Sequence, residues 1–285
     1  MTASTDQLLD LLDLEEIERN HYRGTSPSEG WQRVYGGQVI GQALVAASRT
    51  VAADRFPHSL HAYFLRPGDT RIPILYRVDR IRDGSSFATR RVVAVQRGAS
   101  IFSMSISFHI DEAGPVHGDG APSVPAPDSL EDDIELQKRL QPDLPAEMRE
   151  LMSRDRPIEI RPVDPLVMWT SEKRPPRQVC WMRARGRLPD DRALHKCVLA
   201  YLSDWSLLDT ATLPHGINYA QENVQVASLD HAMWFHRPFR ADDWLLYVQE
   251  SPSASGARGF ARGNVYDTAG RLIASVAQEG LMRTR

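Results

Sequence analysis

Apolar positions fall into two periods along this chain. In YGGQVIGQALVAASRTV, Tyr35 to Val51, residues Val39, Ala43, Ala46 and Ala47 recur at helical spacing, and their small side chains predict close packing against a sheet. Gly36 and Gly37 stand just before this helix, where backbone N–H groups lack partners. The pattern then changes to strands. SLHAYFLRPGD ends on the turn signal Pro67–Gly68. ILYRVDRIRDG follows, with Ile74, Tyr76, Val78 and Arg80 on one face and a hairpin turn at Asp83–Gly84. SFATRRVVAVQRG and SIFSMSISFHI complete an antiparallel meander.

From Asp111 to Leu130 proline, glycine and small polar residues dominate, which is linker chemistry. A short acidic helix, LEDDIELQKRL, is predicted next, then a proline-punctuated stretch to about Pro157. The pattern restarts with PIEIRPVDP and RQVCWMRARGRL as strands. DRALHKCVLAYLSDWSLL reads as a helix, with Leu194, Val198, Tyr201, Leu202 and Trp205 on its apolar stripe. SLDHAMWFHRPF, WLLYVQESPSA, RGFARGNVYDTAG and RLIASVAQEGLM are again consecutive strands.

One phrase is written twice, as SLHAYFLRP from Ser59 and SLDHAMWFHRP from Ser228, each after a helix and before three further strands. A helix with several antiparallel strands buries its apolar face on the sheet, so each copy predicts an α+β unit. Two such units can join sheets and cover each other's edges. The expected division is residues 1–112, a linker with a short helix over 113–156, and a second unit over 157–285.

Composition narrows the function classes. The 285 residues are 42% hydrophobic and 25% charged, with a formal net charge of −3, which gives no reason to expect a nucleic acid or acidic membrane partner. The cluster Arg80, Arg82, Arg90, Arg91 and Arg97 reads as solvated strand edges. Cys180 and Cys197 sit in apolar contexts without metal-ligand spacing, which fits buried, inert thiols in a reducing compartment. The acidic start MTASTDQLLDLLDLEE does not read as a signal peptide, no apolar run is long enough to span a bilayer, and MRTR is no peroxisomal address. The expectation is a cytoplasmic protein with no cofactor and no metal.

Familiar catalytic signals are missing: the sequence has no G-x-S-x-G elbow, P-loop, H-E-x-x-H or dinucleotide fingerprint. His231 and His236, five apart on an expected strand, fall on opposite faces and read as scaffold, not as shared metal ligands. His58 reads as structural or as a neighbour of a substrate channel. Gln278 places a single amide on the face of Leu272, Ala274, Val276 and Gly280, where it is either a core amide bonded to backbone or a functional group. Asp204 interrupts its helix beside the apolar stripe, where a solvated or capping role is the plain alternative, and Ser228 opens a strand. Matching Phe87 to Phe260 puts Ser107 where Gln278 falls, and the helix from Tyr35 has no acid. The first copy thus lacks both the carboxylate and the amide.

Taken in order, YGGQVIGQAL, SLHAYFLRPGD, DGSSFATRRV, LAYLSDWSLLDTATLPHG, SLDHAMWFHRPFRADDWLLY, SASGARGFARG and ASVAQEGLMR resemble the acyl-CoA thioesterase II family over nearly the whole chain. That resemblance implies two fused hotdog domains in one continuous sheet, an acyl-CoA substrate hydrolysed to free fatty acid and CoA, and a homo-oligomer. It also implies a catalytic trio of aspartate, threonine or serine, and glutamine, on Asp204, Ser228 and Gln278 here; this chain has serine where many bacterial members have threonine. In such a site the aspartate serves as base to a water held by the hydroxyl and the amide, with backbone N–H groups at the oxyanion and no covalent intermediate. Two readings compete with it. One is a non-catalytic acyl-CoA or acyl-carrier binding module of the same fold; the other is a double-hotdog hydratase, whose Asp–His pair in one helix segment the sequence does not show.

Overall fold

A computed structural model describes residues 3–27, 33–140, 156–164, 171–217, 221 and 223–284. The expected proline-punctuated stretch lies outside the described residues over 141–155. The fold is α+β. Helix α1 (Ala3–Leu12) and the short strands β1 (Glu15–Glu18) and β2 (His21–Gly24) precede α2 (Gly36–Ser48). The meander is β3 (Phe56–Phe64), β4 (Ile74–Asp83), β5 (Phe87–Gln96) and β6 (Ala99–His109). The acidic helix forms as α3 (Asp133–Leu140), followed by β7 (Ile158–Pro162) and β8 (Arg177–Ala184). Then come α4 (Arg192–Ser203), the short α5 (Asp209–Thr212), β9 (Val224–Ser228), β10 (Asp230–Phe235), β11 (Leu245–Ser255), β12 (Arg258–Tyr266) and β13 (Leu272–Thr284).

Among the described residues 13 strands form one sheet, in the order β1-β2-β4-β5-β6-β3-β10-β13-β12-β11-β8-β7, with β9 paired to β13. Strands before the linker segment meet strands after it only at the antiparallel seam β3–β10, where Leu60 faces Met233 and Ala62 faces His231. The repeated phrase therefore pairs with its own copy at the centre of the sheet, hiding an edge that each set of strands would otherwise expose.

Strand alternation decides which side chains enter the core. On β4 the buried residues are Ile74, Tyr76 and Val78, and the hairpin closes as expected, Gly84 N–H donating to Phe87 O at 2.8 Å. The buried face lies against α2 and α4, which pack on each other. The small residues of α2 serve this helix–helix contact as well as the expected helix–sheet one. A Cβ at Gly41 would lie 3.3 Å from Cys197 O, and one at Gly37 would collide with Tyr201 O. The segment between β6 and α3 is less free than its composition suggests. Ala121 N–H donates to Gly270 O, Trp181 Nε1 donates to Pro125 O at 2.9 Å, and Ala121, Val124 and Leu130 pack on Trp181, Leu246 and Tyr266. Among the described residues no helix is long and apolar enough to cross a membrane. Both cysteines are free and buried, burial holding Cys180 at about 12 and Cys197 above the usual thiol range.

Candidate active site

The site is built around the C-terminal end of α4. Asp191 starts the helix by accepting from the N–H groups of Ala193 and Leu194. The apolar stripe continues to Trp205, but the helix stops at Ser203 and Asp204 is its cap, with φ −87° and ψ −5°. Three hydroxyls claim carbonyls that would otherwise be orphaned there. Ser203 Oγ donates to Ala200 O at 2.9 Å, Tyr35 OH to Tyr201 O at 2.8 Å, and Tyr247 OH to Ser203 O at 3.0 Å. Asp204 is thus held at a fixed corner, its side chain turned inward and only 6% exposed.

Each carboxyl oxygen meets a different element. Gln278 on β13 is fully buried, and its Nε2 donates to Asp204 Oδ1 at 2.6 Å. Oδ2 faces the first turn of α2, where a Cβ on Gly36 would stand 2.5 Å away. The Gly37 N–H donates to the carboxyl. A helix N-terminus and an amide both favour the ionised form. Burial outweighs them, with the Asp209 charge adding to it, and the carboxyl is pushed from 3.8 up to about 7. Gln278 Oε1 is buried and has no partner among the described residues.

Ser228 departs from its expected place. It closes β9 instead of opening β10, and Leu229 separates the two strands. Leu229 N–H donates to Glu279 O while Leu229 O accepts from Phe64 N–H, both at 2.9 Å, so this corner is tied to β13 and β3 together. Ser228 lies opposite Gly280, two residues along β13 from Gln278 and on the same face. The amide lies opposite Ala261, as Phe108 lies opposite Ala88. With Phe87 matched to Phe260, Phe108 and not Ser107 therefore occupies the position of Gln278. Ser107 is on the other face, hydrogen-bonded to His58 Nε2 at 2.8 Å beside Phe87 and His109, which places His58 on the face away from the helices.

The histidines also separate. His236 lies past the end of β10 with Nε2 3.0 Å from Ser275 Oγ. His231, read from the sequence as scaffold, is fully buried within the site, its Nε2 2.9 Å from Ser203 Oγ and its Nδ1 3.9 Å from Asp204 Oδ1. Its place on the inner face follows from strand parity, but its neighbour comes from a helix 27 positions back in sequence and local pattern could not supply it. Among the described residues no group of three or more His, Cys, Asp or Glu is placed to hold a metal ion.

The two helices packed on one face of a continuous antiparallel sheet define a double-hotdog protein. A solved structure with a hot dog fold from Alicyclobacillus acidocaldarius covers all of this chain and of its own at a TM-score of 0.78 and 18% identity, and shows that fold. The family follows from closer likeness. A family model described as "Acyl-CoA thioesterase" matches residues 148–281 and one described as "Acyl-CoA thioesterase N-terminal domain" matches residues 26–109. Human acyl-coenzyme A thioesterase 8 is 42% identical over 287 residues, covering 96% of this chain and 88% of the relative. Acyl-CoA thioesterase 2 of Haemophilus influenzae is 38% identical and covers 99% of each chain. The crystal structure of an acyl-CoA thioesterase II from Mycobacterium marinum is 46% identical, with a TM-score of 0.78 over 97% of this chain and 98% of its own. This chain belongs to the acyl-CoA thioesterase family, a family of thioester hydrolases.

Proposed function

We propose that the protein hydrolyses fatty acyl-CoA to free fatty acid and CoA with Asp204 as general base, Ser228 and Gln278 as the groups that hold the attacking water, and no covalent intermediate. The observation that carries this reading is the dry carboxyl at about 7, hydrogen-bonded to Gln278. A base whose proton affinity lies near the working pH is present in its ionised form and still strong enough to take a proton from water. Water then adds to the thioester carbonyl while its proton passes to Asp204. The tetrahedral oxyanion collapses with cleavage of the C–S bond, and the proton held on Asp204 passes to the departing thiolate. The buried, unpartnered Oε1 of Gln278 is an acceptor for the water's second hydrogen. The first turn of α2 has more N–H groups than Asp204 uses, and these are the donors we assign to the oxyanion.

The same reading takes residues 1–112 and 157–285 as two hotdog units joined by 113–156, assembled as a cytoplasmic homo-oligomer. The single β3–β10 seam and the two separate family matches support the division. Asp204→Asn is expected to lower kcat at least about 100-fold with the fold intact, as loss of a general base does. A near wild-type rate would overturn the assignment, and an acyl group trapped on Ser228 in a quenched reaction would overturn the water mechanism. Thiol release from a panel of acyl-CoAs separates this enzyme from a binding module of the same fold. Hydratase chemistry needs a histidine that exchanges protons with the substrate, and burial drives His231 down to about 3.

A further inference from the structure

His231 supports an inference that rests on the reading of Asp204 as base. It is wholly buried, yet one ring nitrogen, Nδ1, has no hydrogen-bond partner among the described residues. A buried polar atom left unmatched costs about 1–3 kcal/mol, so its retention needs a reason. The neighbouring hydroxyl assigns the tautomer. Ser203 has one hydroxyl proton, and it is given to Ala200 O at the end of α4. With that proton on the carbonyl, Ser203 Oγ, 2.9 Å from His231 Nε2, accepts there, and the tautomer that matches this arrangement carries its hydrogen on Nε2. That leaves a lone pair on Nδ1, 3.9 Å from Asp204 Oδ1.

We propose that His231 is a positioning residue for the reaction: a neutral imidazole, locked by Ser203 as the Nε2–H tautomer, whose Nδ1 lone pair opposes the ionised Asp204 and receives a hydrogen bond from its protonated form. The consequence has a definite sign. A lone pair facing a carboxylate disfavours the charge, and an acceptor facing a carboxylic acid favours the proton. Both raise the proton affinity of Asp204. After Asp204 takes a proton from water, a side-chain adjustment of about 1 Å brings its O–H within hydrogen-bond range of Nδ1. The proton stays on Asp204, parked against the ring, until the C–S bond breaks and the thiolate takes it. His231 itself remains neutral throughout. The other ionisable groups around the carboxyl are Tyr35 ahead of α2, Tyr201 on α4, Tyr247 on β11, Asp209 on α5 and Arg156 stacked over Trp205. Among them only Asp209 perturbs the carboxyl by its charge.

The test is the pH profile of kcat/KM, whose acid limb reports the base in the free enzyme. His231→Gln keeps an amide N–H for Ser203 and removes the lone pair at the Nδ1 position; His231→Asn keeps an acceptor there. The acid limb is expected to move down by about one pH unit in His231→Gln and to stay near wild type in His231→Asn. An unmoved or raised limb in His231→Gln overturns the proposal. So does an equal downward shift in both variants, which would mean that a loosened core had let water reach the carboxyl. Should either variant fail to fold, nitrogen-15 NMR of the wild-type histidines decides. His231 is expected as the neutral Nε2–H form from about pH 5 to about 9, and a hydrogen on Nδ1 overturns the proposal. Full activity in Asp204→Asn would refute the assignment of the base, whereas an inactive Asp204→Asn beside an unmoved limb in His231→Gln refutes only the role of His231.

Discussion

A carboxyl kept dry for catalysis should be a burden on folding, and Asp204 allows that burden to be worked out. Its folded value of about 7 stands against 3.8 for the ordinary group. Between those values the folded protein binds a proton that the unfolded chain has lost, so stability falls as pH rises through the window from about 4 to about 7. The sign is opposite to that of a salt-bridged carboxylate, which loses stability on acidification. A displacement of about three units corresponds to about 4 kcal/mol once the group is fully ionised in both states, near pH 8, and to about 1.5 kcal/mol at pH 5. Asp204→Asn removes the charge and keeps the shape. Its carbonyl can still accept from Gly37, and Gln278 can rotate its amide so that the unpartnered Oε1 receives the new N–H. The variant is therefore expected to be inactive and more stable than wild type, by up to about 4 kcal/mol at pH 8, with the gain shrinking by about half or more at pH 5. Urea unfolding of both proteins at the two pH values, at one protein concentration, measures this through the midpoint while the slope stays constant. If the variant is no more stable at pH 8, or its gain is the same at pH 5, the carboxyl is not held near neutrality by burial and the reasoning fails.

Three further outcomes are expected. Gly36→Ala puts a methyl carbon 2.5 Å from Asp204 Oδ2 and displaces the carboxyl, so kcat should fall at least about 10-fold while the unfolding midpoint moves little; an unchanged kcat would remove the α2 turn from the site. Ser228→Ala should lower kcat by about 10-fold or more and Ser228→Thr should keep it, because on the proposed mechanism only the first loses the hydroxyl that aims the water; equal rates in both would retire Ser228 from the mechanism. Arg90, expected from the sequence on a solvated strand edge, is instead 1% exposed, because it donates inward to Thr50, Arg82, Thr89 and Asp83. Arg90→Met should cost about 1–3 kcal/mol in unfolding free energy with kcat unchanged, since it strips Thr50 of its buried partner while the exposed Asp83 stays in water, and none of these contacts reaches the site.

What the sequence revealed and what it hid divide along the range of the interactions. The strands, the β4–β5 hairpin and the inward face of Gln278 depend on alternation over a few residues, and they are legible. The end of α4 is not. The apolar stripe runs on to Trp205, but the stop at Ser203 is set by hydroxyls on Tyr35 and Tyr247, which lie far off in sequence. Ser228 ends β9 instead of opening β10 for a similar reason. SLDHAMWFHRP has an unbroken strand pattern, and only the bonds of Leu229 to both Glu279 and Phe64 break it in two. Counting along the chain also failed between Phe87 and Ser107. The two hairpins differ in turn length and carry separate bulges, after Ala94 and after Val265, so equal counts no longer mean equal faces. His231 shows the limit most plainly: parity gives its face, but nothing within its own strand announces the carboxyl beside it.

The duplication also reads differently once the register is known. The helix from Tyr35 has no acid, and Phe108 stands where the second set of strands has Gln278, so by residue content the first copy looks inert. Yet Asp204 cannot be held by the second copy alone. Its Oδ2 rests on Gly36, its carboxyl accepts from Gly37 N–H, and the carbonyl of Tyr201 is held by the Tyr35 hydroxyl. Phe64 N–H anchors Leu229 beside Ser228. A side chain at either glycine would close the approach, since a Cβ at Gly37 would collide with the backbone of α4. The first copy lacks the acidic and amide side chains but supplies backbone to the site, and backbone is the part of a site that a search for catalytic residue types passes over. Division of labour between the copies accounts for both features at once: one contributes the carboxyl and the amide, the other a helix start with no acid.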